Sequence, residues 1–129
     1  MIVLDSHVVL WLAFCPEKLS SAASGAIEVV ESAGTAPMIS AATLFEIAYA
    51  IRKGRVATAV PDPAFFARIR SRFRVVPIDS EIAQSAAQIE PFHGDPMDRL
   101  ITATAILQNL PLVTSDWKIR NSSACKTIW

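Results

Sequence analysis

The chain has 129 residues, 52% hydrophobic and 19% charged, with 12 basic and 12 acidic side chains and a formal net charge of zero. That balance excludes a disordered chain, suits one globular domain over residues 1–129, and argues against a strongly basic nucleic-acid binder. No apolar run reaches the roughly 18 residues of a membrane span, and Asp5 breaks an N-terminal apolar run that has no basic leader. Cys15 and Cys125 are isolated and fit no metal spacing, so a cytoplasmic protein with reduced thiols is expected.

Residues 2–4 are a short apolar run ending at Asp5, the pattern of a buried strand in a parallel sheet. Ser6 is placed to cap a helix over residues 7–14, with Pro16 marking its end. Ser20 or Ser21 then caps a second helix reaching about Ala33, with Ala23, Ile27 and Val30 on one side and Glu28 and Glu31 outward. Residues 36–39 read as a second strand, and Ser40 caps a helix that runs to about Lys53 and stops at Gly54. Glu46 lies in that helix among Leu44, Phe45, Ile47 and Tyr49, where an acid is either on an exposed face or buried with a partner.

Asp62-Pro63 has the cap-then-proline form and starts a helix to about Ser71. Residues 73–78 form a third strand, and Pro77 suggests that it lies at an edge. Asp79 caps a helix to about Ile89. In the following segment Asp95 is the N-cap and Pro96 the first helical residue, which puts Asp98 in the first turn of an apolar helix. A helix-start acid accounts for Asp98 locally; a pocket carboxylate is the alternative. Residues 112–115 form a fourth strand ending at Asp116, and the tail holds a turn around 121–123 and a short strand near 126–128.

Strands thus alternate with helices, as in a three-layer α/β/α sandwich on a mostly parallel sheet. Open sheets of this kind bind ligands beyond the carboxyl ends of their strands. Asp5 and Asp116 sit at two such ends, Glu46 lies in the helix after another strand, and Asp98 begins the helix that feeds the last. Four acids without a cysteine or histidine pair suit the hard cations Mg²⁺ or Mn²⁺ better than zinc. Such a site can orient a phosphodiester and activate water, whereas without metal the carboxylates repel and some take up protons.

Met1–Asp5 followed by Ser6-His7, LFEIA at 44–48, HGDPMDRLITATAI and LVTSD at 112–116 resemble, in order and over essentially the whole chain, the PIN-domain ribonucleases. The nearest group is the VapC-type toxins of bacterial type II toxin–antitoxin pairs. The resemblance implies catalytic, metal-binding roles for Asp5, Glu46, Asp98 and Asp116, with Mg²⁺ or Mn²⁺ as cofactor and RNA, including tRNA or rRNA, as substrate. It further implies a homodimer and a cognate antitoxin protein. Ser6 stands where the family usually has Thr, and it keeps the hydroxyl; Thr114 or Ser115 is expected to support the site similarly. An inactive PIN-like binding module is the alternative. An α/β hydrolase with Asp5 as phosphoryl nucleophile fits less well, because position 7 is His rather than a second Asp.

Other residues have plainer expectations. His7 and His93 are read as structural, Asp95 as a cap, and Arg99 as a structural ion pair. Trp11 and Trp129 are read as core or interface residues, and Trp117 as the best base-stacking candidate. Arg52, Lys53 and Arg55, and Arg68, Arg70, Arg72 and Arg74, are read as solvated helix faces or ends.

Overall fold

The computed structural model describes residues 1–90 and 94–129. Its strands are short: β1 (Val3–Leu4), β2 (Met38–Ser40), β3 (Arg74–Val76), β4 (Leu112–Val113) and β5 (Thr127–Ile128). All neighbours pair in parallel, in the order β3-β2-β1-β4-β5. Among the described residues seven α-helices connect them: α1 (Ser6–Phe14), α2 (Ser21–Ser32), α3 (Ala41–Arg52), α4 (Asp62–Arg72), α5 (Ser80–Gln88), α6 (Pro96–Leu107) and α7 (Trp117–Ser122).

Side chains alternate across each strand and so feed two separate cores. Ile2, Leu4, Ile39 and Val113 pack on one face with Val8 and Val9 of α1, Ile27 and Val30 of α2, and Phe65 and Ile69 of α4. Val3, Met38, Val76 and Leu112 pack on the other with Ile82 of α5, Ile101 and Ala105 of α6, and Ile119 of α7. Helix α3 serves both, through Ile47 on the first face and Ala42 on the second. The result is the expected α/β/α sandwich, with a sheet that is parallel throughout.

The chain lays down β1, β2 and β3 in one direction, then returns to place β4 on the free side of β1 and β5 beyond it. The switch therefore lies between β1 and β4. Asp5 follows β1 and Thr114 follows β4, so the carboxyl ends beside the switch carry an acid and a hydroxyl.

Several boundaries differ from the sequence reading. Asp5, rather than Ser6, caps α1, accepting from the Ser6 N–H at 2.6 Å. Pro61 takes the N-cap position of α4, and Asp62 is already inside its first turn. Phe73 ends α4, β3 stops before Pro77 at the sheet edge, and β4 is two residues rather than four. Helix α7 fills the stretch after Asp116, and Ser123 closes it with a left-handed φ of 56°. Its six residues are too few to show a period. Ser20 caps α2, and Asp79 and Asp95 cap α5 and α6 as expected.

Candidate metal centre

The site is built on Asp5. Its carboxylate is 3% exposed, yet both oxygens are bonded: Oδ1 accepts from the Ser6 N–H, and Oδ2 accepts from the Thr114 hydroxyl at 2.7 Å. The Ser6 hydroxyl faces α3 and donates to Glu46 Oε1 at 2.6 Å. Asp98 arrives from α6, whose start is set by the Asp95 carboxylate accepting from the Met97 N–H at 2.9 Å. Asp5, Glu46 and Asp98 each offer a carboxylate oxygen, and these oxygens all lie within 4.8 Å of one another.

Asp116 is not part of that trio. Its carboxylate caps α7, accepting from the Lys118 N–H at 2.7 Å, and its own N–H donates to the Thr114 hydroxyl at 3.1 Å. It lines the same cavity as Asp95 and Asp98. Thr114 is thus the supporting hydroxyl between Asp5 and Asp116, while Ser115 contributes to the cavity wall.

Three carboxylates brought this close raise one another's proton affinity. Burial is the largest cause at each, and pushes Asp5 and Glu46 above the ordinary carboxylate range against the hydrogen bonds of Thr114 and Ser6. Asp98 is raised to about 7, first by burial and then by the charges of Asp5, Asp95, Glu46 and Asp116. Such a cluster is destabilising without a counter-charge. An all-oxygen, multiply anionic donor set suits a hard divalent cation, and the oxygens are close enough to share one directly or through water.

Two cavities adjoin the carboxylates, and His7 and Asp95 line both. One, of about 810 Å³, includes Asp98, Asp116, Trp117 and Lys118. The other, of about 540 Å³, includes Ser6, Glu46, Phe45, Tyr49 and Arg55. Glu46 lines the second cavity beside Leu10, Ile47, Val56 and Met97, and the Ser6 hydroxyl is its partner there. The acid is half-buried and turned to the cluster, while its neighbours Phe45 and Tyr49 face outward, 57% and 46% exposed. That arrangement went unread in the sequence, although Phe45, Tyr49 and Lys53 follow a helical i, i+4, i+8 spacing.

His7 is exposed and tilts against Trp11 at 5.9 Å, and Trp11 in turn meets Trp129 at 5.6 Å. His93 lies outside the described residues. Arg99 is structural: among the described residues it donates to the carbonyls of Ala86, Ala87 and Ile89 where α5 ends. Arg72 pairs with Glu31 on the exposed surface, as its expected solvated role implies.

A family model described as PIN domain matches residues 2–123. Over 131 aligned positions the chain is 36% identical to the ribonuclease VapC22 of Mycobacterium tuberculosis, covering 99% of this chain and 98% of the relative. The structure is similar to VapBC2 of Rickettsia felis bound to a promoter DNA fragment, with a TM-score of 0.74, 16% identity, and 98% and 97% of the two chains covered. It is also similar to FitAcB of Neisseria gonorrhoeae, with a TM-score of 0.70, 19% identity, and 98% and 96% covered. A toxin–antitoxin complex of Klebsiella pneumoniae gives 0.66, at 20% identity, with 97% and 95% covered.

Proposed function

The chain belongs to the PIN-domain family, and from that premise we propose that it is a Mg²⁺- or Mn²⁺-dependent endoribonuclease acting as the toxin of a toxin–antitoxin pair. The observation that carries this reading is the trio Asp5, Glu46 and Asp98, gathered within 4.8 Å beside the switch in strand order. The relative's name as a ribonuclease and the toxin–antitoxin complexes among similar structures support it.

Asp5, Glu46 and Asp98 would hold the cation, with Asp116 completing the catalytic set from the wall of the cavity that Asp98 also lines. When bound, the cation supplies charge neutralisation at the phosphodiester and a stronger water nucleophile. The chain's own part is positioning. Ser6 ties Asp5 to Glu46 by donating from its N–H to one and its hydroxyl to the other. Thr114 fixes the far oxygen of Asp5 and the backbone of Asp116 with one hydroxyl, and Ser115 adds to that wall. Asp98, whose proton affinity is raised, would have to give up its proton to serve as a ligand. The same reading includes a homodimer, a cognate antitoxin that covers the site, and action on RNA in the cytoplasm. Among the described residues no helix is long and apolar enough to cross a membrane.

Cleavage of a structured RNA mixture tests the proposal, with Mg²⁺, Mn²⁺ or EDTA and with Asp98→Asn alongside. Discrete products that require the cation and disappear in Asp98→Asn are expected. Cutting by the variant at the parent's rate would remove Asp98 from the mechanism. A protein that gains thermal stability from Mn²⁺ but cuts no RNA would be the inactive binding module instead.

A further inference from the structure

We propose that two aromatic-and-basic walls flank the carboxylates and stack unpaired RNA bases on either side of the cleaved phosphate: Phe45 with Tyr49 on one, and Trp117 on the other. This rests on the ribonuclease reading above and adds how the strand is held.

The carboxylates stand between the two cavities, Glu46 lining one and Asp98 the other, and the cavities meet at His7 and Asp95. Each has a volume in the range of roughly 300–1,000 Å³ that small-ligand sites occupy. In the first, Phe45 and Tyr49 lie nearly parallel on the outer face of α3, 5.8 Å apart at 16°, and both are about half exposed. Lys53 sits 5.5 Å over the Tyr49 ring, and Arg55 lines the same cavity. In the second, Trp117 is 64% exposed directly after Asp116, with Lys118 beside it.

Aromatic surface left in water beside cations is the combination that captures single strands, because every base has a face to stack and every phosphate a charge to pair. Zero net charge makes this placement informative. Cations stand at the two walls, where flanking phosphates would pass, and acids stand between them. A second copy of the chain is the competing occupant for Phe45 and Tyr49. Lysine beside the aromatics and continuity with the carboxylate cavity favour RNA, since charged residues are depleted at the centres of protein interfaces.

The test measures binding of a short, labelled, random-sequence single-stranded RNA and of the matching duplex, in an Asp98→Asn background so that the RNA stays intact. Phe45→Ala with Tyr49→Ala, and separately Trp117→Ala, are expected to weaken single-strand binding by roughly fivefold to 150-fold per lost stacking contact. Duplex binding should change little, because its bases are already stacked. Phe45→Tyr and Trp117→Phe should keep most of the affinity. Unchanged single-strand binding in the alanine variants would overturn the proposal, as would an equal loss for duplex. Sedimentation showing that the Phe45/Tyr49 variant turns a dimer into a monomer, with RNA affinity unchanged, would assign that pair to a copy–copy contact. A parent that cuts RNA while the wall variants bind as it does overturns this inference alone; a parent that neither binds nor cuts RNA overturns both readings.

Discussion

Thr114 satisfies two groups on different parts of the backbone with one oxygen, donating to Asp5 and accepting from the Asp116 N–H. Thr114→Val keeps the shape and removes both bonds, leaving a buried carboxylate oxygen and an amide without that partner. The expected cost is about 1–3 kcal/mol, read from urea unfolding of the metal-free protein, together with reduced cleavage. Asp98 makes a separate prediction. Its folded carboxyl titrates near 7, while in the unfolded chain it titrates in the ordinary aspartate range. Across that interval the folded state holds the extra proton, so this contribution to stability is full at low pH and is lost as pH rises through about 7. Burial pushes Asp5 and Glu46 the same way. The melting temperature of the metal-free protein should therefore fall from about pH 5 to about pH 8, and saturating Mn²⁺ should abolish most of the fall. A metal-free melting temperature that rises across the same range would contradict the crowding of these acids. Asp98 also shows what sequence conveys about a single residue. Its place in the first turn was legible from Asp95-Pro96, but a helix-start acid and a pocket carboxylate look alike until α3 and β1 supply Glu46 and Asp5 beside it.

At the scale of elements, the angle between α5 and α6 matters because α6 carries Asp98. Arg99, the next residue, fastens the two by donating to three carbonyls where α5 ends, positions that a helix otherwise leaves unbonded. Arg99→Met retains much of the aliphatic stem and loses those donors. It should cost about 1–3 kcal/mol in thermal or urea unfolding and weaken Mn²⁺ binding, because the start of α6 loses its anchor. A variant as stable as the parent would show that water serves those carbonyls equally well. Elements with local chemical signals were readable: Ser20, Ser40, Asp79 and Asp95 accept from the helix N–H groups that their positions suggested. Asp5 and Ser6 are adjacent and both good caps, so composition alone could not choose between them. The strand that gives Asp5 its extended backbone decides it. Arg99 next to an acid suggested an ion pair, and nothing local could reveal that the end of α5 would lie within reach.

At the scale of the molecule, strand alternation indicated the layers, and Pro77 indicated the edge that β3 occupies. The order of the strands was not legible, since elements of two or three residues carry no pairing preference of their own; packing on both faces sets it. That order has a further consequence. The bond from Thr114 to Asp5 joins residues 109 positions apart, and β1 completes its pairing only when β4 arrives. Until the segments around residues 98 and 114 are in place, Asp5 lacks both the bond from Thr114 and its neighbour Asp98. The active constellation cannot be assembled early. The carboxylate cluster is thus a late product of folding, complete only once the segments that carry Asp98 and Thr114 have docked beside β1.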